Sequence, residues 1–369
     1  MRITFVTPSL ACGGAERCVT LLARGLLQRG HDISVVTIHG EEQDFFQLPQ
    51  GTNRLALGID GDSATVVHGL ANNLRRLKVL RNSIKSTQPD IVISHIHRTN
   101  IITILAVGQA LPVIAVEHND PGMNPLGKIW DTLRRRTYPR AQRIVSVSRG
   151  VDEYFSWLAK EQRAIIHNPI ENNHERGSFT VPDPERNWIG SMGRLTPQKG
   201  FDLLLTAFAG IARFYPDWGL LIIGDGELRE GLEELARTLG VSSQVTFAGR
   251  LADPHAALRA CKLFVMGSRF EGFPYAALEA LANGLPVVYT NCPSGPREII
   301  RPEVDGLLVP PGNITALSAA MDRLMSNKEE RERFAAQAPA VFDRFGLDRI
   351  IAQWEALVAS IISANRSID

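Results

Sequence analysis

Short runs of β-branched and aliphatic residues alternate along the chain with longer segments whose apolar residues recur at helical spacing. This alternation is typical of a parallel β-sheet covered by helices. In the first half the long segments predict helices at 15–28, 70–85 and 128–136. The short runs predict strands at 3–6, 33–38, 91–94, 113–116 and 143–147.

A second series of the same kind follows a loop rich in Asn, Gly, Ser and Pro at about 168–187. It predicts strands at 188–192, 220–223, 245–247, 263–265, 287–289 and 307–309. Two such series predict two doubly wound domains joined near Asn168-Pro169, with ligand at the carboxyl ends of the strands. Residues 317–362 predict helices only, the last carrying Trp354, Leu357, Val358 and Ile361 at helical spacing.

We therefore expect domains at 1–168 and 169–345, with a terminal helix at 346–369 that packs back on the first domain. The length of the chain supports this division, because 369 residues exceed what one hydrophobic core usually supports. Its 44% hydrophobic residues are enough for two cores. The charge balance of 40 basic and 39 acidic residues excludes nucleic-acid binding that depends on global charge. Any anion site must be local.

The cysteines at 12, 18, 261 and 292 form no Cys-x-x-Cys pair and no zinc spacing. They indicate reduced thiols in a reducing compartment. The amino terminus runs into a strand without the pattern of a signal peptide, and no apolar stretch approaches the roughly 18 to 20 residues that span a bilayer. We expect a cytoplasmic protein that can still lie on a membrane surface.

Three segments carry candidate chemistry, and the first is Gly13-Gly14-Ala15-Glu16-Arg17, between the first strand and the first helix. The glycines allow close backbone approach to a ligand, and a helix amino terminus offers N–H groups to a phosphate. A tight βα turn explains the segment equally well, and it lacks the G-x-G-x-x-G pattern of dinucleotide-binding proteins.

The second segment, 193–200, again lies between a strand and a helix and carries Arg194 and Lys199. A guanidinium can bind phosphate oxygens in a fork while an ammonium adds a point charge, which suits a leaving diphosphate. Solvated surface cations are the alternative.

The third segment contains Glu271 and Glu279, eight residues apart, with Pro274 between them. Pro274 fits the first turn of a helix that closes at Gly284, so Glu271 belongs to the preceding loop and Glu279 to the helix. A carboxylate in an otherwise apolar helix needs a partner. A ribose diol and a structural hydrogen bond are both possible partners.

Together these segments, in this order and with Gly224-Asp225-Gly226-Glu227 added, resemble the family-4 retaining glycosyltransferases of the GT-B fold. The resemblance covers essentially the whole chain. It implies an α/β protein of GT-B architecture, with two doubly wound Rossmann-like domains facing across a cleft. The amino-terminal domain would bind the acceptor and the carboxyl-terminal domain the nucleotide sugar. Within the family, the chain looks especially like bacterial enzymes that extend undecaprenyl-diphosphate-linked or surface-polysaccharide oligosaccharides.

The resemblance also implies roles for individual residues. Arg194 and Lys199 would hold the donor diphosphate, Glu279 the ribose, and Glu271 the transferred sugar. His118 would contact the sugar or the acceptor, although a lone histidine is also common in cores. The remaining implied donor contacts are Gly13, Gly14, Gly224, Arg250, Leu251, Gly272 and Phe273, and Glu16 and Arg17 would face the acceptor.

The implied reaction retains the anomeric configuration and needs no metal and no bound cofactor, because two cations and a helix terminus replace a divalent ion. Asp60-Gly61-Asp62 looks like the metal motif of the other main transferase fold, but it lies in a polar loop and is interpreted as a turn. His95, His97 and His118 could form a metal cluster, which their alternating spacing makes the less favoured interpretation.

Basic residues in the first domain predict a membrane-proximal acceptor site. The 70–85 helix places Leu70, Leu74, Leu77 and Ile84 on one face. One flank of that face carries Lys78, Arg81 and Lys85, with Arg75 further round the helix. Such a flank is usually just solvated, but it could also bind an acceptor diphosphate or anionic lipid. Trp130, followed by the cations 134–136 and Tyr138, predicts a second basic and aromatic surface. We expect peripheral contact with the cytoplasmic face of an anionic membrane.

Other functions fit less well. A hydrolysing nucleotide-sugar epimerase shares the two-domain architecture, but it is not expected to carry the paired glutamates. A non-enzymatic sensor would not need both carboxylates and both cations, and a dehydrogenase is disfavoured because Arg229 stands where a third glycine should be. The expected donor is a uridine diphosphate hexose or N-acetylhexosamine, with guanosine diphosphate-mannose as the main rival.

Overall fold

The structure is a computed structural model that describes residues 1–60, 66–172 and 179–366. The chain divides into two compact units. Unit 1 comprises Met1–Pro169 and Phe345–Asp369, and unit 2 comprises Ile170–Arg344. The terminal segment therefore belongs to unit 1, with all of unit 2 inserted before it. These bounds lie within one residue of the expected ones.

Unit 1 is built on a parallel sheet of seven strands among its described residues, in the order β3-β2-β1-β4-β5-β6-β7. The strands are β1 Arg2–Thr7, β2 Asp32–Thr37, β3 Asn53–Ala56, β4 Ile91–His95, β5 Val113–Glu117, β6 Arg143–Ser146 and β7 Arg163–Ile165. The helices are α1 Gly14–Gln28, α2 Val66–Ser86, α3 His97–Val107, α4 Lys128–Thr137, α5 Arg149–Tyr154 and, after unit 2, α14 Leu347–Arg366. The strand order reverses between β1 and β4, which makes that edge the topological switch point.

Unit 2 repeats the plan with six described strands in the order β10-β9-β8-β11-β12-β13. The strands are β8 Asn187–Met192, β9 Trp218–Ile223, β10 Val245–Gly249, β11 Leu263–Met266, β12 Val287–Thr290 and β13 Gly306–Val309. The helices are α6 Phe201–Ala212, α7 Arg229–Thr238, α8 Pro254–Arg259, α9 Tyr275–Ala282, α10 Pro296–Ile299, α11 Ile314–Ser326, α12 Lys328–Gln337 and α13 Val341–Phe345. Its switch point lies between β8 and β11.

The predicted strands are confirmed to within about two residues, because nearly all of them are fully buried apolar runs. Two strands escaped prediction. These are β3 and β7, short edge strands of mixed character. Helix α14 packs on α1, where Ile351 fills the space beside Gly25 and Glu355 pairs with Arg29 and His31.

The predicted apolar face of α2 is wrong in one position. Leu74 is 65% exposed, whereas Leu80 and Ile84 are fully buried and form the packed face. The side chain of Leu70 lies outside the described residues. Helix α2 packs mainly against α3, and contact with a single helix buries only a narrow apolar stripe, which Leu74 lies outside.

Candidate functional site

The loops that follow β8 and β11 meet at the switch point of unit 2. Gly200 has a left-handed φ of 61°, and a Cβ there would lie 2.0 Å from the carbonyl oxygen of Gly267. Only glycine allows this approach. Arg269 strengthens the contact through two hydrogen bonds to the carboxylate of Asp202, at 2.6 and 2.8 Å. The two loops are therefore held as one rigid wall.

At this wall the Lys199 ammonium and the Glu271 carboxylate form an ion pair. Lys199 Nζ lies 2.7 Å from Glu271 Oε1 and 2.9 Å from Oε2, and Glu271 is only 5% exposed. The hydroxyls of Ser268 and Tyr289 also donate to Oε1, at 2.7 and 2.8 Å. A buried carboxylate with four donated hydrogen bonds is fixed in position and needs no rearrangement to act.

Tyr289 is a dependable donor to this carboxylate. Burial, together with the negative charge of Glu271, raises the pKa of Tyr289 well above its usual value, so its hydroxyl keeps its proton. Burial also raises the pKa of the nearby Cys292 thiol, to about 12, so this cysteine is unreactive. Neither Ser268 nor Tyr289 was identified from the sequence. Each is a single residue at a strand end, without a motif.

The second glutamate lies inside α9, as its spacing predicts. Pro274 caps the helix, Asn283 ends it, and Glu279 is buried at 5% exposure. The Glu279 carboxylate lies 3.8 Å from Nε2 of His255, whose Nδ1 is 2.8 Å from the Asn283 amide. The carboxylate predicted to bind a ribose thus has a histidine neighbour within unit 2.

Further candidate residues follow neighbouring strands at the same edge. Gly224, directly after β9, has a φ of 134°, and a Cβ there would lie 2.0 Å from the carbonyl oxygen of Gly193. Arg194 is exposed, as is Arg250 after β10, whereas Leu251 is half-buried. Gly272 and Phe273 are buried in the loop before α9. The structure therefore brings all the predicted unit 2 residues to one edge of its sheet.

In unit 1, the glycine pair begins α1 as predicted, but its near neighbour is the chain itself. The Glu16 carboxylate folds back over Gly13, so that a Cβ there would lie 2.3 Å from Glu16 Oε2. Gly14 is exposed, and Glu16 and Arg17 are half-buried in the first turn. The small residue at 13 leaves room for this carboxylate, in addition to any role in approaching a ligand.

His118 lies directly after β5 and is buried at 8% exposure. Its Nε2 is 2.9 Å from Nδ1 of His95, the last residue of β4. Burial lowers the pKa of His118 to about 3 and that of His95 well below its usual value. The described residues contain no group of three or more side chains placed to hold a metal ion. His95 and His118 instead form a hydrogen-bonded, uncharged pair.

A second buried cluster on β5 was missed by sequence reasoning. Glu117 accepts hydrogen bonds from the Tyr138 hydroxyl and from the Asn100 amide, the latter at 3.2 Å. Burial raises the pKa of Glu117, with Arg134 opposing the shift. Nothing in the local sequence signals this cluster, because its members come from four separate elements.

The second predicted basic surface is wrong in part. Arg134 and Tyr138 are buried at 1% and 0% exposure, and Arg134 lies over the ring of Tyr154. Only Arg135 and Arg136 of the three consecutive cations are exposed. Because an α-helix has 3.6 residues per turn, three consecutive side chains point in different directions, and here that of Arg134 faces the core. By contrast, all four predicted cations of α2 are exposed, at 75, 78, 81 and 85.

The loop interpreted as a turn is described only at its first residue. Asp60 pairs with His39, 2.5 Å from its Nδ1, and Gly61 and Asp62 lie outside the described residues. In the described part of the chain, no helix is both long enough and apolar enough to cross a bilayer.

Two parallel sheets of this order, each with its polar residues at the switch point, are those of the GT-B glycosyltransferases. HepE from Anabaena, solved with UDP and glucose, matches with a TM-score of 0.80 at 20% identity, over 98% of this chain and 100% of that one. Sucrose-phosphate synthase from Thermosynechococcus elongatus matches with a TM-score of 0.82 at 16% identity, over 99% and 100%.

The chain belongs to glycosyltransferase family 4. The model for Glycosyltransferase Family 4 matches residues 12–174, and that for Glycosyl transferases group 1 matches residues 176–341. A glycosyltransferase from Methanocaldococcus jannaschii is 30% identical over 78% of this chain and 84% of its own length. The chain is therefore a glycosyltransferase. The sequence-based resemblance is confirmed.

A second relative comes from Campylobacter jejuni and is 28% identical over 99% of this chain and 100% of its own length. It is the GalNAc-α-(1→4)-GalNAc-α-(1→3)-diNAcBac-PP-undecaprenol α-1,4-N-acetyl-D-galactosaminyltransferase.

Proposed function

We propose that this glycosyltransferase moves a hexose or an N-acetylhexosamine, with retention of configuration, from a uridine diphosphate donor to a glycan acceptor carried on a lipid diphosphate. Its place would be the assembly of a polysaccharide, lipopolysaccharide or glycoprotein glycan. The observation that carries the proposal is the ion pair of half-buried Lys199 with buried Glu271 at the switch point of unit 2, with the exposed guanidinium of Arg194 in the loop that also carries Lys199.

The two cations suit a diphosphate leaving group. Lys199 gives two of its three N–H donors to Glu271, which leaves one for a phosphate oxygen. Arg194 is exposed at the end of the same strand and can bind a second oxygen. That the solved relative HepE binds UDP supports uridine as the base.

Glu271 and Glu279 would then divide the rest of the donor between them. Glu271 is fixed by four donated hydrogen bonds, three of them to Oε1, whereas Oε2 accepts only from Lys199 and can still accept from a sugar hydroxyl. Glu279 lies in α9, the helix that follows the Glu271 loop, and its carboxylate can accept hydrogen bonds from the two hydroxyls of a ribose. Gly224, Arg250 and Leu251 would border the base.

The reaction would proceed on one face of the sugar. The bond from the anomeric carbon to the diphosphate oxygen breaks as the acceptor oxygen bonds to the same carbon from the same side. The acceptor proton passes to the departing diphosphate oxygen, which accounts for every atom without an enzymic nucleophile. Lys199 and Arg194 stabilise the negative charge that develops on that oxygen. These fixed cations would make a divalent metal unnecessary.

Unit 1 would bind the acceptor, with Glu16, Arg17 and the exposed cations of α2 as contacts. The Campylobacter relative acts on an undecaprenyl-diphosphate glycan, and a lipopolysaccharide 1,6-galactosyltransferase from Salmonella typhimurium is 27% identical over 74% of this chain. A lipid-linked acceptor would bring α2 close to an anionic membrane surface, where its four cations are attracted to the headgroups.

A thermal-shift screen against uridine, guanosine and adenosine diphosphates and their sugar conjugates tests this proposal. A ligand that binds only the folded protein raises its apparent stability by mass action. We expect a shift with uridine compounds that disappears in Arg194→Ala and persists in Arg213→Ala, which removes an exposed cation at the other end of α6. A shift with guanosine compounds alone would overturn the uridine assignment, and no shift with any nucleotide would contradict the donor site.

A further inference from the structure

The histidine pair of unit 1 lies at the carboxyl ends of β4 and β5, next to the switch point between β1 and β4. His95 Nδ1 and His118 Nε2 are 2.9 Å apart, and the ring planes differ by only 25°. Nearly coplanar rings with facing nitrogens are the geometry of an in-plane N–H···N hydrogen bond. One of the two nitrogens must carry the proton and the other must accept it.

Both rings are neutral. Burial holds the pKa of His118 at about 3, and burial together with His118 holds that of His95 well below its usual value. A neutral imidazole has one N–H and one bare nitrogen, so the state of one ring dictates the state of the other. The pair therefore has two arrangements, and they differ in which outer nitrogen carries a proton.

The two outer nitrogens distinguish these arrangements. His95 Nε2 and His118 Nδ1 are both buried without a hydrogen-bond partner among the described residues. Each arrangement leaves one of these nitrogens as an N–H without a partner in the described part of the unliganded protein. His95 is fully buried beside the ring of Phe5, whereas His118 is 8% exposed and is the ring nearer to solvent. A permanently orphaned N–H is rarer in proteins than an orphaned acceptor. The less costly arrangement therefore leaves Nε2 of His95 bare and puts the proton on Nδ1 of His118.

The backbone beside this pair is strained. Ile96 has a φ of 71° and a ψ of 131°, in a region that a β-branched residue rarely adopts. Its N–H donates to the carbonyl of Val116 and its carbonyl accepts from the amide of Asn100, at 3.1 and 2.9 Å. Strain of this kind persists only where the surroundings enforce it, and it is concentrated at functional sites. Here it ends β4 directly after His95 and begins α3 at once.

We propose that His95 is a positioning residue. By donating from Nδ1 to Nε2 of His118, it fixes His118 in the tautomer whose Nδ1–H donates to a hydroxyl of the substrate sugar. Ile96 holds His95 in place for this bond. The part concerning the sugar rests on the proposed function, whereas the tautomer is a property of the protein without ligand.

Nitrogen NMR of protein labelled at histidine tests the tautomer directly. We expect the unliganded wild type to show His118 protonated at Nδ1 and His95 protonated at Nδ1. In His95→Asn the side-chain amide can still donate to His118, so the tautomer should persist. In His95→Leu no donor remains, and His118 should become a mixture of tautomers. Protonation of His118 at Nε2 in the wild type would overturn the proposed direction.

The same variants test the consequence for catalysis. With UDP-galactose and UDP-N-acetylgalactosamine as probes, we expect His95→Leu to lower the rate of UDP release at saturation by at least tenfold. We expect His95→Asn to recover most of it, and UDP affinity to change less than twofold in both. Equal losses in the two variants, or a loss that follows thermal stability alone, would reduce His95 to a structural residue and contradict the proposal.

Ile96 offers a second test that survives if His95→Leu fails to fold. Ile96→Gly and Ile96→Ala both remove the side chain, but only glycine also removes the strain. We expect the Gly variant to melt a few degrees above the Ala variant, the reverse of the usual order, and to release UDP several-fold more slowly. A Gly variant that is no more stable than the Ala variant would show that no strain is stored there.

The two proposals fail in different ways. If wild-type protein binds no uridine nucleotide, the proposed function fails, and the tautomer measurement still decides the role of His95. If nucleotide binding and turnover are normal but His95→Leu matches the wild type, only the positioning role is lost.

Discussion

The two units carry buried polar groups of opposite character at the carboxyl ends of their strands. In unit 2 the buried carboxylate of Glu271 forms an ion pair with the ammonium of Lys199, 2.7 Å away. In unit 1 the buried carboxylate of Glu117 accepts from neutral donors, with a raised pKa, and the neighbouring histidines are uncharged. The edge of unit 2 holds a direct ion pair, whereas the edge of unit 1 holds an uncharged histidine pair.

This difference suits the two kinds of substrate group that a glycosyltransferase handles. A diphosphate needs fixed positive charge, which must be balanced while the site is empty, and Glu271 balances Lys199. Sugar hydroxyls are neutral and are selected by directed donors and acceptors, for which an uncharged ring of fixed tautomer is suited. Each prediction below tests one side of this contrast.

The largest effect is expected where charge is removed from unit 2. Lys199→Ala should lower turnover by about a hundred- to a thousand-fold, because it removes a fixed cation from the leaving group and leaves Glu271 unpaired. Steady-state kinetics with the identified donor measures this loss. Lys262→Ala, at an exposed cation just before β11, is the matched control. Near-normal rates in both Lys199→Ala and Arg194→Ala would sink the diphosphate assignment.

A smaller loss is expected when the carboxylate itself is neutralised. Glu271→Gln keeps the shape but weakens hydrogen bonding to the sugar, which should cost about 2 to 3 kcal/mol of transition-state binding and lower kcat roughly thirty- to 150-fold. UDP affinity should change far less. A variant that loses UDP binding but turns over normally at saturation would reverse this division of roles.

Acid should destabilise the uncharged edge of unit 1. The pKa of His118 is about 3 in the folded protein against an ordinary value of 6.5. Its contribution to stability is therefore complete above pH 6.5 and is lost as the pH falls towards 3. Between pH 7 and pH 5 the wild type should lose about 2 kcal/mol more unfolding free energy than His118→Gln. Urea unfolding of both proteins at both pH values measures this, and parallel losses would contradict it.

Removing one neutral hydrogen-bond donor to Glu271 tests how much of its function depends on being held in position, without changing the charge of the site. Tyr289→Phe takes away the 2.8 Å hydrogen bond but leaves Lys199 and Ser268 in place. We expect about 1 kcal/mol, roughly a fivefold fall in kcat, with unchanged UDP affinity. A loss as large as that of Lys199→Ala would mean that the phenol, and not the ammonium, governs the carboxylate.

The smallest effect concerns the exposed cations of α2. Lys78→Gln should weaken binding to anionic vesicles by up to about 1 kcal/mol at low salt, a few-fold in flotation, because one cation near the headgroups is lost. Lys160→Gln, an exposed cation elsewhere in unit 1, should have no effect. If the wild type does not float with anionic vesicles at low salt, the membrane contact itself is wrong.

The sequence predicted what depends on neighbours along the chain. The strands follow from buried apolar runs, and the placement of Glu271 in a loop and Glu279 in a helix follows from Pro274 and Gly284. These features need only local spacing. Leu74 shows the limit, because spacing gives the direction of an apolar face but not its width.

What escaped prediction depends on residues far apart in sequence. Tyr289 reaches Glu271 across 18 residues, and the Glu117 cluster joins β5 to residues from α3 and α4 and to Tyr138. Arg134 was assigned to the surface because most arginines are exposed, yet its neighbour Tyr154 covers it. Such contacts are set by tertiary packing and carry no local signal.

The return of α14 to α1 has a consequence for biosynthesis. Unit 1 includes residues that the ribosome makes only after the whole of unit 2, so its first 169 residues emerge with the surface around Gly25 uncovered. Unit 2 is continuous in sequence and can complete its core while unit 1 still waits for its last helix. The emergence of α14, and not that of the seventh strand, therefore marks the moment at which unit 1 can close.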